Sequence, residues 1–188
     1  ICPLTRRDAV TGDPTDKVIY AVPGVPWEMK EMILGTVLGD LQRRAGITSV
    51  IASRTLRTWG QSESGLAEIL SERLDELDRI AVDGGSAATI AFLASGMEGL
   101  KVRLTAKADS AAGVAQILAA EESVVRGILG GVVFGVDDDT MESVVLDLLR
   151  TRGMTLGVAE SLTGGMIGSR ICDVAGASDV FLGSVVSY

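Results

Sequence analysis

The chain has 188 residues, of which 47% are hydrophobic, 22% charged and 4% aromatic, with a formal net charge of -8. That composition supplies an aliphatic core and excludes a disordered chain, and the length suits one large domain or two small ones. The acidic balance argues against nucleic acid or an anionic membrane as main partner, because phosphates select basic surfaces.

Residues 17–22 (KVIYAV) read as a buried strand that Pro23 stops. A PGVP turn leads into a helix starting near Trp27, with Met29, Met32, Ile33 and Val37 at helical spacing and Gly46 as its stop. This segment reads as the end of an α/β unit. Residues 50–57 (VIASRTLR) then read as a strand, followed by a helix from Ser64 whose apolar stripe is Leu66, Ile69, Leu70, Leu74 and Leu77. Two strands are expected at 89–94 and 101–107, joined by a glycine-containing turn. The second alternates Val102, Leu104 and Ala106 with Lys101, Arg103, Thr105 and Lys107. Ser110 can cap a helix reaching about Ile128, and 132–134 gives a last short strand. The order β-α-β-β-α-β is that of a split βαβ domain, with an antiparallel sheet on one side and two helices on the other.

Asp137, Asp138 and Asp139 form a metal-site candidate by charge alone, but Asp also favours helix starts, and a solvated start is the preferred reading. Met141, Val144, Val145, Leu148 and Leu149 then recur at helical spacing until Gly153. A buried strand follows at 154–159, with Glu160 and Ser161 forming a bend. A helix carrying Met166, Ile167, Ile171 and Val174 inward comes next, then a strand at 181–186.

Cys2 and Cys172 lie far apart in sequence and fit neither a disulfide framework nor a zinc site, a usage that suits the cytoplasm. The longest nearly apolar run, 127–136 (GILGGVVFGV), is too short to cross a bilayer. The chain opens ICPLTRRD, with neither a methionine nor a signal-peptide pattern, and stops on FLGSVVSY. Both ends suggest a piece of a longer protein.

The segment GVAESLTGGMIGSR, 157–170, joins a strand to a helix through a glycine-rich turn. Backbone N–H groups at such a helix start favour an anion, and Thr163, Gly164 and Gly165 would bring amides close to a phosphate or an oxyanion. The alternative is that Ser161 caps the helix and the glycines only permit close packing. From the pattern alone both readings stand. A nucleophilic Ser161 needs a base. The sequence has no histidine, which excludes the imidazole triad, and Lys17, Lys30, Lys101 and Lys107 all precede this region. Glu160 is adjacent but points to the opposite face of the strand, and Tyr188 is a candidate relay.

AESLTGG at 159–165, DVAGAS at 173–178 and FLGSVVSY at 181–188 resemble the opening of the CinA carboxy-terminal domain, the nicotinamide-nucleotide amidase. The hallmark of that domain is Ala-Glu-Ser-Cys-Thr-Gly-Gly, a Pro-Gly-Ala-Ser-type loop and a Phe-Leu-Gly-Gly-Val-Val-x-Tyr strand. VPGVPWEMKEM at 22–32 is similar to a segment of the molybdopterin-binding-like domain of the same proteins, and RTLRTWGQSESGLAEIL at 54–70 to the entry of their KH-like middle domain. Leu162 stands where cysteine is usual, Ala175 where proline is, and Ser184 where the second glycine is.

The resemblance implies an α/β and α+β multidomain chain: 1–48 closing a molybdopterin-binding-like domain, 49–137 KH-like, and 138–188 opening the amidase domain. It implies hydrolysis of nicotinamide mononucleotide to nicotinic acid mononucleotide and ammonia, without a cofactor. Ser161 would be the nucleophile and Tyr188 its helper, with a lysine base shortly after the strand that ends in tyrosine. Glu160, Thr163, Gly164, Gly165, Ser178 and Gly183 would bind substrate. For the first domain the resemblance implies hydrolysis of ADP-ribose with a divalent metal and potassium, and Pro23, Gly24, Pro26 and Glu28 border that site or simply form a turn before a helix. The middle domain lacks a Gly-x-x-Gly loop between its helices and sits in an acidic chain, so it reads as a spacer and homodimer scaffold rather than an RNA binder.

Overall fold

A computed structural model describes residues 1–7, 14–46, 49–94 and 96–188. Contacts divide the chain into two units, Ile1–Thr48 and Ser49–Tyr188. In the first, β1 (Cys2–Arg7) pairs antiparallel with β2 (Pro14–Ile19), Cys2 opposite Ile19. Helix α1 (Pro26–Met32) passes through a π-helical turn at Ile33–Val37 into α2 (Leu38–Ala45), and Gly46 closes it in the left-handed conformation. The predicted strand at 17–22 therefore starts and ends about three residues early, and Ile19 and Val22 are exposed. The helical stripe is not buried either, since no residue of α1, the π turn or α2 is. A two-stranded ribbon and one helical rod offer too little apolar surface to enclose one another. What ties α2 down is polar: Asp40 accepts from Tyr20 Oη (2.6 Å), Arg44 (2.7 Å) and Arg43 (3.2 Å). The Tyr20 hydroxyl and the two arginines hold that carboxyl well below the usual carboxylate range.

The second unit opens with the split βαβ arrangement. Strand β3 (Val50–Thr58) is followed by α3 (Glu63–Ile69), α4 (Ser71–Val82), β4 (Thr89–Ala94), β5 (Leu100–Ala108), α5 (Ala111–Leu129) and β6 (Val133–Val136). The sheet order is β4-β5-β3-β6, antiparallel throughout. Ser62 and Ser110 cap α3 and α5 by accepting from Gly65 and Gly113, each at 3.1 Å. Leu56, Leu66, Leu70, Val102, Leu104, Val114 and Val125 form the core. The expected single helix after β3 breaks at Leu70, and Ile69 is exposed: the buried face is the narrower row Leu66, Leu70, Leu74 and Leu77. An ion pair that sequence reasoning missed joins α4 to α5. Arg73 Nε donates to the buried Glu121 at 2.9 Å. Leu104→Ala is expected to cost about 2–5 kcal/mol, because a fully buried side chain leaves a cavity that its neighbours only partly fill. Urea unfolding of the two proteins measures it.

The chain then runs through α6 (Met141–Arg152), β7 (Leu156–Glu160), α7 (Met166–Cys172) and β8 (Phe181–Val186), with β8 parallel to β7. The aspartate run is not itself the helix cap. Thr140 is, in a reciprocal capping box with Ser143. Asp137 accepts from Thr55 N (3.0 Å) and pairs with Arg54, while Asp139 accepts from Val136 N (2.8 Å), so these carboxylates fasten the crossing from β6 to α6. Leu146, Ile171, Ala177 and Val180 make a second, small core. Leu146 was not in the predicted stripe, whereas Leu148, Met166 and Ile167 were placed inward and are exposed. Among the described residues no helix is long and apolar enough to cross a membrane.

Candidate active site

Parallel pairing puts the C-terminal ends of β7 and β8 side by side, with Glu160 opposite Val186. Ser187 N–H donates to Glu160 O at 2.9 Å and continues the pairing one residue further. Ser161 therefore leaves one strand where Ser187 and Tyr188 leave the next. Alternation along the strand turns Glu160 inward and Ser161 outward. Glu160 belongs to the strand rather than to the expected bend.

The Glu160 carboxylate is buried beneath the start of α7. It accepts four hydrogen bonds, from Ser184 Oγ (2.7 Å), Gly168 N (2.8 Å), Ile167 N (2.8 Å) and Thr163 Oγ1 (2.9 Å). Burial pushes its pKa up, but the Gly168 N–H, the Ser184 hydroxyl, the Ile167 N–H and the Thr163 hydroxyl outweigh it and hold the group at about 2. The first turn of α7 thus already has its anion, supplied from within the chain. Two residues make this fit. Ser184, where the resemblance has glycine, adds one of the four donors. Gly168 gives room, since a Cβ there would lie 2.8 Å from Ser184 Cβ and 3.3 Å from Glu160 Oε1.

This changes the expected roles. Glu160 is saturated by protein donors and anchors the turn; it is not positioned to bind substrate. The Thr163 hydroxyl is committed to Glu160. Ser161 does not cap α7: the cap position is Gly165, at φ 89°, with no side-chain bond. The Ser161 side chain is exposed and, among the described residues, has no hydrogen-bond partner. The N–H groups of Leu162, Thr163, Gly164 and Gly165 likewise donate to no protein acceptor. Free donors therefore lie in the loop, not on the helix. Leu162 is exposed in the left-handed region, φ 75°, a strained conformation for a branched side chain, and its neighbour Thr163 donates its hydroxyl to Glu160.

Tyr188 is exposed at the same end of the strands. Ser178 and Gly183 are not. Ser178 sits in the 3-10 turn Ala177–Asp179 that precedes β8, at the opposite end of the strand pair, and Gly183 is mid-strand opposite Gly157. Three residue steps along the strand part that rung from the Glu160 rung, about 10 Å. In the first unit, Pro26 takes the first position of α1 and Glu28 lies in its first turn, with Pro23 and Gly24 in the preceding turn. Among the described residues no group of three or more Cys, Asp or Glu side chains is arranged to hold a metal. Cys2 and Cys172 are free thiols.

The glycine-rich loop and the split βαβ unit both have counterparts in known proteins. Residues 138–188 match the family described as CinA C-terminal domain, and 53–135 match the damage-inducible protein CinA KH domain. A CinA-like protein of Frankia casuarinae is 48% identical over 186 residues, covering 99% of this chain and 40% of that protein. A CinA-like protein of a Synechococcus species is 41% identical over 170 residues, 90% of this chain and 38% of the relative. A putative competence-damage inducible protein of Moorella thermoacetica is 37% identical over 172 residues, 92% of this chain and 39% of the relative. The chain thus spans about two fifths of the length of these relatives. With both domain models in sequence order and nearly half its residues shared with a CinA-like protein over almost its whole length, the chain belongs to the CinA family.

Proposed function

We propose that the chain carries the nucleophile of an amidohydrolase that converts nicotinamide mononucleotide to nicotinic acid mononucleotide and ammonia. The observation that carries this reading is the unbonded, exposed hydroxyl of Ser161 beside a loop of free backbone N–H groups. In the reaction, Ser161 Oγ attacks the carboxamide carbon and passes its proton to a base. The oxyanion accepts hydrogen bonds from the N–H groups between Leu162 and Gly165. Ammonia leaves with a proton returned from the base, and water then releases the carboxylate product from the serine ester. The Tyr188 hydroxyl orients the attacking group. The base is a lysine that the resemblance sets shortly after that tyrosine. No cofactor takes part, the protein works in the cytoplasm, and its second domain, 49–137, serves as a spacer within a homodimer. Ammonia release from nicotinamide mononucleotide by the intact protein tests the reading, and an absence of turnover on this substrate would overturn it.

The KH-like domain is expected not to bind single-stranded RNA appreciably at physiological salt, given the chain's net charge of -8 and the lack of a Gly-x-x-Gly loop joining α3 to α4. Filter binding measures this. Micromolar affinity that weakens as salt rises would contradict it.

A further inference from the structure

Glu160 is gripped from two directions. Three donors to its carboxylate, Thr163 Oγ1, Ile167 N and Gly168 N, belong to the segment that follows Ser161. The fourth and shortest bond, from Ser184 Oγ at 2.7 Å, comes from β8. Strand pairing explains its reach. Ser184 lies opposite Val158 and Val186 opposite Glu160, and residues two apart on a strand share a face, so the hydroxyl meets the carboxylate on the diagonal.

The same stretch of chain also holds the main chain of Glu160. Ser187 donates to Glu160 O through its N–H at 2.9 Å and its hydroxyl at 3.2 Å, and that carbonyl belongs to the peptide bond that carries Ser161. This backbone clamp fixes where Ser161 leaves β7. It does not reach the turn beyond. Among the described residues, Ser184 is the one side chain of β8 bonded to the carboxylate that also holds Thr163, Ile167 and Gly168. Room is kept for it, since residue 168 is glycine and a Cβ there would crowd Ser184 Oγ at 3.1 Å.

We propose that Ser184 is a positioning residue for Ser161: its hydrogen bond to Glu160 ties the loop that carries Ser161 and the free N–H groups to the strand that leads to Tyr188. This role rests on the amidase reading above. In that reading the nucleophile with its oxyanion donors comes from one strand end and the orienting hydroxyl from the next. Attack geometry held to a fraction of an ångström needs a tie between the two. Removing the hydroxyl does not orphan the carboxylate. Oε1 keeps the Gly168 N–H, and Oε2 keeps the Ile167 N–H and the Thr163 hydroxyl. Ser184→Ala therefore spares the fold and loosens the tie.

The test uses the intact protein. Ser184→Ala is expected to lower kcat for nicotinamide mononucleotide by about tenfold, with KM within about twofold, because the other donors to Glu160 limit the displacement. In a Glu160→Gln background the same substitution should cost less than about twofold, since the anionic acceptor is already gone. A kcat equal to that of wild type, or an equal loss in both backgrounds, overturns the proposal. A purely structural role would lower Tm and leave kcat unchanged well below it. Backbone amide exchange supplies an arm that needs no turnover. Ser184→Ala should speed exchange at Ile167 and Gly168, whose N–H groups the carboxylate holds, and unchanged rates there overturn the tie. If wild type releases no ammonia, the amidase reading fails by itself, and the exchange rates alone decide the tie.

Discussion

Ser161→Ala is expected to lower turnover of nicotinamide mononucleotide by several orders of magnitude and to leave thermal unfolding where it is. Removing the nucleophile of a hydrolytic constellation removes the covalent route altogether, and what remains comes from binding and oxyanion stabilisation. The same substitution has nothing to break in the fold, since the hydroxyl is exposed and unbonded and the cap of α7 is Gly165. A helix-capping serine would behave in the opposite way, losing about 1 kcal/mol of stability and no activity. Ammonia release and a thermal melt on one preparation separate the two. Retention of most of the turnover would mean that the chemistry lies elsewhere.

Glu160→Gln is expected to damage both properties at once. A glutamine keeps one acceptor oxygen and turns an NH2 group toward donors, so at least one of Gly168 N–H, Ile167 N–H, Ser184 Oγ–H and Thr163 Oγ1–H loses its partner beneath α7. The melting temperature should fall. Turnover should fall by about a hundredfold, the usual consequence of a reacting group displaced by about 1 Å, with Ser161 itself untouched. Wild-type Glu160 also predicts an acid limb. Its pKa is about 2 in the folded chain against 4.5 for a free glutamate, so its ionised form is bound more tightly by the fold than by the unfolded chain. The stability it contributes is complete above about pH 4.5 and is lost as the pH falls toward 2. Urea midpoints measured across that window should decline in wild type and decline less in Glu160→Gln. An identical slope in the two proteins would show that the carboxylate is not the group being titrated.

Much of the middle of the chain was legible because local signals there agree with one another. Val102, Leu104 and Ala106 alternate with the polar Lys101, Arg103, Thr105 and Lys107, and Ser110 stands before α5 as its cap. Where a pattern was ambiguous, burial decided. Ile69 and Leu148 obey a helical period as well as Leu66 and Leu146 do, and only the position of the facing sheet or helix determines which residue meets the core. In the first unit the apolar spacing of α1 and α2 was real, yet a two-stranded ribbon cannot cover it.

The candidate site divides in the same way. The sequence by itself determined that a serine stands between a strand and a glycine-led helix, that none of the 188 residues is a histidine, and that its neighbour Glu160 faces the other way, because strand alternation is a property of the backbone alone. Only the tertiary structure decided what that glutamate does. Its partners come from positions three, seven, eight and twenty-four residues away, and Ser184 reaches it only because β8 lies parallel against β7. The same parallel pairing brings Tyr188 to the Ser161 end and carries Ser178 to the opposite one, since a strand entered from its N-terminal side leaves its preceding loop at the far edge of the sheet. Sequence spacing fixes which residues are neighbours along the chain; the direction and register of strand pairing fix which of them can meet.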